Sequence, residues 1–386
     1  MRIMLWAPCP WQPSGYSTYV RYLAPALAQT HDVSIFAFQG LTGRINWGDI
    51  TVFGNPIPHS QYFVKETARR WKADLTIQIF DLWTVSGMLH RFLPPGLIVH
   101  TPIDSEPLAE WFKDTARQAV AVVPQSNFGK RVFEEGGIIC EDTIYNGIDT
   151  SIFYPHDKKE ARKSFGFPED AFVVLMVGVN KGDRKNVPNQ MEAFHEFRQK
   201  ASDAILIDWT YPFFDNMNPE GMPLSDIWER IDGDKTKFMT PTLEDYYWGL
   251  EDEEMAKLYS AGDVLLECSL GEGFGRPIIE AMACGCPVIA SDNSAMTELV
   301  KDRGWLVPCS RISHWQQFLA AKQCFPDTDA ITEALMDCYT DTKKRSNYIT
   351  KGLEFASELD YSKIIRRQWL PLIDKLSTTG VIDFNE

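Results

Sequence analysis

Short runs of β-branched and apolar residues alternate with stretches of helical periodicity along almost the whole chain, and few folds accommodate that alternation. Strand–helix–strand alternation builds βαβ units, with parallel strands and helices covering the sheet. Two series are present. The first places strands at 3–7, 33–37, 75–79, 97–100 and 119–123, with helices near 17–29, 60–72, 107–117 and 127–136. The second places strands at 172–177, 204–209, 237–240, 264–268, 287–290 and 305–307, with helices near 187–200, 252–260, 276–284, 294–301 and 327–340. Between them, 147–168 carries Asp149, Pro155, a charged patch over 157–163, Gly166 and Pro168, the composition of an interdomain linker. The amphipathic stretch 361–376, bearing Trp369, is expected to form a last helix that crosses back to the first domain. No short-period repeat or low-complexity segment interrupts this pattern.

At 386 residues the chain exceeds one ordinary core and suits two domains of roughly 150 to 200 residues, two lobes with a cleft between them. No apolar run approaches the roughly 20 residues that span a bilayer. The opening run stops at Pro8 and Pro10, too short for a secretory signal, and reads as a first buried strand. Eight cysteines are scattered; Cys284 and Cys286 lie in an Ala/Gly-rich segment without a partner pair at zinc-ligand spacing. The expectation is reduced, structural thiols and a cytoplasmic setting.

Residues 1–165 balance their basic and acidic side chains, so the whole net charge of −15 falls on 166–386. Such a distribution disfavours non-specific nucleic-acid binding, which depends on neutralising phosphates. The basic cluster Arg69, Arg70, Lys72 leaves open a peripheral contact with a membrane surface or an anionic acceptor, against the plainer reading of a solvated helix face.

Residues 269–292 read SLGEGFGRPIIEAMACGCPVIASD: strand end, Gly-rich loop, helix, tight turn, strand. Pro277 suits a first helical turn, where its missing N–H is no loss, and Gly285 suits the left-handed position past the helix end. The loop therefore delivers free amides to a helix N-terminus at the carboxyl edge of a parallel sheet, where an anion is favoured. Glu272 lies in the loop and Glu280 one turn into the helix, so one carboxylate can face a sugar while the other reaches a ribose. A Gly-rich loop with two glutamates is ordinarily a solvated turn; the whole string argues otherwise.

The string resembles the E-x7-E signature of the family 4 retaining glycosyltransferases, with Glu272 and Glu280 at the acidic positions and G-E-G-F-G-R-P and E-A-M-A-C-G-C-P-V-I-A-S in register. Other segments extend the likeness. Residues 258–264 (LYSAGDV) resemble the passage that precedes the signature, Glu298 follows where an acidic residue is usual, and Asn146-Gly147-Ile148-Asp149 with Phe153 and Pro155 resembles the lead into the linker. Gly15-Tyr16-Ser17 resembles the family's N-terminal Gly loop, and Lys185, after Gly178, matches a basic residue on the donor diphosphate. Where many members carry a second phosphate-binding Arg, this chain has Val179, with Arg184 or Lys181 as replacements.

The resemblance implies an α/β, GT-B type fold: two Rossmann-like domains facing across a cleft, with 1–165 on the acceptor side, 166–365 holding the nucleotide-sugar donor, and 366–386 a C-terminal helix and tail. It also implies a metal-independent hexosyltransferase that needs no cofactor and uses a nucleotide-diphosphate sugar (UDP- or GDP-) and a hydroxyl acceptor: saccharide, lipid-linked or other. Glu280 would bind ribose; Lys185, Arg184 and the amides of Gly273, Phe274, Gly275 and Arg276 would neutralise the leaving diphosphate; Glu272 would orient the hexose and His100 steady it from the other lobe. Gly178, Gly15 and Ser17 complete the expected donor site. Trp11, Tyr16 and Trp83 are aromatic platforms for an acceptor on one reading and packing on another. A phosphorylase or epimerase on a similar fold and a non-catalytic nucleotide-sugar binder are the rivals. Asp232-Gly233-Asp234 is a D-x-D, the metal-holding pattern of another glycosyltransferase fold, but it follows a helix end rather than an apolar strand.

Overall fold

The computed structural model describes residues 1–57, 62–84, 93–180, 183–210, 221–315 and 321–378. They form two compact units, one from the described residues of 1–147 and 361–378 and one from those of 148–315 and 322–360.

Among the described residues the first unit holds seven strands: β1 Arg2–Ala7, β2 Asp32–Ala37, β3 Arg44–Trp47, β4 Ile50–Gly54, β5 Leu75–Ile79, β6 Leu97–Thr101 and β7 Ala121–Pro124. Their order is β3-β4-β2-β1-β5-β6-β7, and all neighbours run parallel except β3 with β4. β1 is central and buried on both faces from Ile3 to Ala7, which is why it reads as an unbroken apolar run rather than an alternating one. The β3–β4 hairpin is not apparent in the sequence because RINW is exposed but for a half-buried Trp47; the turn depends on Gly48 at φ +57°.

The terminal helix runs from Tyr361 to Thr378 with a π-helical turn at Ile365–Trp369, and it belongs to this unit. Fully buried Trp369 donates its Nε1–H to Tyr19 Oη at 2.6 Å, and Tyr361 stacks on Tyr22 at 4.1 Å. A Cβ on Gly147 would lie 2.4 Å from the Tyr361 ring, so only glycine fits there.

In the second unit β8 Phe172–Val177, β9 Ala204–Trp209, β10 Phe238–Met239, β11 Val264–Glu267, β12 Val288–Ser291 and β13 Trp305–Val307 form a parallel sheet ordered β10-β9-β8-β11-β12-β13. Phe194, Phe197, Trp228 and Leu335 pack against one face, and Trp228 stacks on Phe238 at 5.5 Å. Truncating such a side chain to alanine costs roughly 3–5 kcal/mol.

Within 147–168, read as linker from the sequence, Lys158–Phe165 is a helix capped by Asp157 and fastened to this unit. Arg162 bonds Ala261 O at 3.1 Å and Asp263 Oδ2 at 2.5 Å, and Asp263 also takes the Val173 N–H. Charge patterning that suggested a solvated tether is therefore partly a buried clamp. The polar helix Thr342–Glu358 was likewise not read from the sequence. No helix among the described residues is long and apolar enough to cross a membrane.

Candidate functional site

β11 ends at Glu267, and the chain passes through the Gly-rich loop into the helix Arg276–Ala283. Gly275 is the N-cap at φ +94°, and a Cβ there would press to 3.0 Å on Ile278 Cδ1. Glycine supplies no side-chain oxygen to this first turn; the Ile278 N–H bonds the Gly275 carbonyl at 3.0 Å, and Pro277 has no N–H to satisfy. The last residue of β12 and those just after it hold the loop: Ser294 Oγ accepts the Glu272 N–H (2.9 Å), Asn293 Nδ2 donates to Leu270 O (2.8 Å), and Ser291 Oγ donates to Ser269 O (2.7 Å). Gly285 follows the helix at φ +76°, as the sequence suggested.

Beside this loop lie the two cations that follow β8. Lys185 Nζ reaches Glu267 Oε1 at 2.7 Å and Glu272 Oε1 at 2.8 Å; Arg184 Nη1 reaches Glu272 Oε1 at 2.6 Å and Gly271 O at 2.9 Å. Gly178 lies under the lysine: a Cβ there would meet Lys185 Nζ at 3.1 Å. Asn186, left-handed at φ +54°, and Gln190 fix the turn, bonding Cys268 O (3.1 Å) and Lys185 O (2.8 Å). Burial opposes the charges here. It works against protonated Lys185, but Glu267 and Glu272 override it and raise the pKa. It also pushes the Glu272 carboxyl up, but Arg184 and Lys185 prevail and hold it well below the usual carboxylate range. Lys185 and Glu272 are thus both charged at neutral pH, preorganised to exchange one anionic partner for another.

Glu280, 9% exposed, is gripped from two sides: Tyr259 Oη donates to Oε2 at 2.8 Å, and Arg276 reaches Oε1 through Nη2 at 2.8 Å and Nε at 3.1 Å. Glu272 and Glu280 therefore sit in different surroundings, one between cations at the loop and one beneath the helix start.

The remaining candidates lie in the first unit. Gly15 opens the helix Gly15–Ala28, and Ser14, its N-cap, accepts the Ser17 N–H at 3.1 Å and shares a hydroxyl bond with Ser17 at 2.8 Å. Tyr16 Oη donates to Asp81 at 2.6 Å. His100 was expected to steady the transferred sugar from the first domain, but it is fully buried. Tyr19 and Trp369 pack on its ring at 5.1 and 5.0 Å, and Nδ1 pairs with Val123 O at 2.9 Å. Burial pushes its pKa down to about 4, so it is neutral. Trp11 is exposed; the Trp83 side chain and Lys181 lie outside the described residues.

Asp232 and Asp234 are occupied by protein partners. Arg198 bonds Asp232 through Nε (2.5 Å) and Nη2 (2.7 Å), His195 adds a third bond (2.6 Å), and Asp234 caps Thr236. The Arg198 hydrogen bonds hold Asp232 well below the usual carboxylate range. Cys284 and Cys286 are buried, and desolvation raises both thiols.

Sequence reasoning passed over Glu267, Ser269, Tyr259 and Asp208. Glu267 and Asp208 did leave a signal: each is a lone carboxylate closing an apolar parallel strand, on the sheet edge where ligands bind.

Residues 245–355 match the family described as Glycosyl transferases group 1, a span that contains the Gly-rich loop and both glutamates. The chain is 29% identical to a D-inositol 3-phosphate glycosyltransferase of Mycobacteroides abscessus, over 57% of this chain and 43% of that protein. It is 29% identical to O-antigen chain mannosyltransferase B of Escherichia coli over 30% of this chain and 26% of that protein. The matches span less than half the length of these curated relatives. In fold, the chain is similar to a sucrose-phosphate synthase from Thermosynechococcus elongatus (TM-score 0.78, 19% identity, 98% of this chain and 100% of that one). It is also similar to Anabaena HepE, solved in complex with UDP and glucose (TM-score 0.70, 19% identity, 98% of this chain and 100% of that one). The two-domain α/β glycosyltransferase fold expected from the resemblance is the fold observed.

Proposed function

We propose that this chain is a retaining glycosyltransferase that moves a hexose-type sugar from a nucleotide-diphosphate sugar to a hydroxyl acceptor. The observation that carries this reading is the ion cluster of Lys185, Arg184, Glu267 and Glu272 beside a glycine-led helix start that no cap side chain closes. Two fixed cations beside the positive end of a helix stabilise an anion whose charge grows as the glycosidic bond breaks, so they act more on the transition state than on the bound donor. Arg184 stands in for the cation that Val179 does not provide. The group 1 match and the UDP and glucose bound to HepE support the same reading.

On this reading the diphosphate displaces Glu272 from the cations, and Glu272 turns to the hexose hydroxyls. Glu280, oriented by Tyr259 and Arg276, accepts the ribose hydroxyls on its free lone pairs. His100, neutral and enclosed, fixes the packing of the first unit's sheet edge and reaches the sugar only after Trp369 moves. The reaction proceeds without a resident metal, in a reducing, cytoplasmic setting in keeping with eight cysteines that form no disulfide.

The test is a thermal-shift screen of UDP-, GDP- and ADP-sugars, followed by transfer to hydroxyl acceptors in EDTA. Stabilisation by one nucleotide class and transfer in EDTA is the expected result. Strict manganese dependence would return attention to Asp232 and Asp234, and transfer to phosphate would favour a phosphorylase. Exposed Val179 at the second cation position favours a non-catalytic binder as the alternative, which donor binding without transfer or hydrolysis would establish.

A further inference from the structure

Asp208, next to last in β9, is only 2% exposed, and its Oδ2 has no hydrogen-bond partner among the described residues. Thr210, 4% exposed, has an equally unpartnered hydroxyl. Both line a cavity of about 20 Å³, room for a single water, with Gly178, Lys185, Gln190 and Glu267 around it. An unpartnered buried carboxylate is costly, whereas a buried carboxyl that keeps its proton is tolerated.

The charges around it decide which form is present. Lys185 and Arg184 are already balanced by Glu267 and Glu272. Among the described residues, the strands beside β9 bring no charge to bear: Asp208 pairs in register with Met176 of β8, and β10 offers Met239. The helix Val187–Arg198 contributes the amide of Gln190. Lys185 and Glu267 are the charged groups that act on Asp208; burial foremost, and then Glu267, push its pKa up to about 7, against the pull of Lys185.

We propose that Asp208 is a positioning residue that must hold a proton for the donor diphosphate to bind at Lys185. With the carboxyl neutral, the charge of Lys185 is directed to the diphosphate. With it ionised, a third carboxylate competes for the ammonium and repels the incoming anion. The proton comes from solvent and rests on Oδ2; no other bond is made or broken. The inference rests on the donor reading above and deepens it: donor affinity falls as pH rises past neutrality, and binding takes up protons.

The test is calorimetric titration with UDP-glucose and GDP-mannose, whose diphosphate diesters do not titrate near neutrality, in buffers of different ionisation enthalpy from pH 6 to 9. For the native chain, Kd is expected to weaken by up to about tenfold per pH unit above neutrality, with net proton uptake. Asp208→Asn is expected to bind equally well throughout and to take up none. A flat native profile, or the same slope in Asp208→Asn, overturns the proposal.

Thermal unfolding of the ligand-free proteins from pH 4 to 8 forms a second arm. Because the folded-state pKa of Asp208 lies above the unfolded one, its stabilising contribution is present at low pH and lost as pH rises toward 7. The Tm of Asp208→Asn relative to native should therefore climb across that window, and a constant difference rejects the proton. If neither nucleotide binds at any pH, the donor reading itself fails and the coupling with it, while the unfolding arm still decides the state of Asp208.

Discussion

Two helices begin just after a parallel strand of their own unit, and they treat their first turns in opposite ways. After β1, Ser14 closes the start of Gly15–Ala28 with its own hydroxyl, and Ser17 spends both its amide and its hydroxyl on that residue. After β11, Gly275 caps Arg276–Ala283 with no side chain, and Lys185 and Arg184 stand beside the loop. Parallel sheets place helix starts at the same edge by construction. On the proposed reading, what separates a structural start from an anion site is whether a capping side chain is supplied and whether cations are stationed next to it.

The largest expected effect comes from breaking the second of these starts. Lys185→Ala removes the cation shared by two buried carboxylates and should lower kcat/KM by a factor of roughly 10² to 10³, as loss of a preorganised charge partner does. Transfer kinetics check this, and a value near native would show that the cluster is structural only.

His100 gives an effect on stability instead. Its folded-state pKa, about 4, lies below the unfolded value, so its contribution is complete above the unfolded pKa and lost as pH falls toward 4. His100→Phe should flatten the acid decline in Tm between pH 6.5 and 4, by a few kcal/mol at the acid end. An unaltered decline would show that acid sensitivity arises elsewhere.

How far the chain disclosed this division can be judged from particular residues. Apolar runs such as Phe172–Val177 and Leu75–Ile79 were legible because strands buried on both faces cannot be polar. The Gly-rich loop was legible because left-handed Gly275 and Pro277 leave few alternatives. By contrast, Lys158–Phe165 looked like tether because its clamp, Arg162 to Asp263, joins residues a hundred positions apart. Glu267 and Asp208 escaped despite their position at strand ends, because their partner Lys185 comes from the turn after β8, distant from both in sequence. His100 looked accessible because nothing local shows that Trp369, from the far end of the chain, covers it.

Two smaller effects sharpen the contrast. Glu280→Ala should weaken nucleotide-diphosphate affinity by about tenfold, the loss of a charge-assisted hydrogen bond to ribose. An unchanged Kd would remove Glu280 from the ribose role. Ser14→Ala should cost about 1 kcal/mol of stability, the usual value of an N-cap. Nucleotide affinity should not change with it; a matching loss of affinity would erase the distinction between the two helix starts.

The most direct measurement is a crystal structure with the nucleoside diphosphate that the thermal screen selects. The expected result places its phosphate oxygens within hydrogen-bond distance of Lys185 Nζ and the amides over 273–276, with Glu272 turned off the cations. A diphosphate bound elsewhere, with the Lys185–Glu272 pair intact, would contradict it.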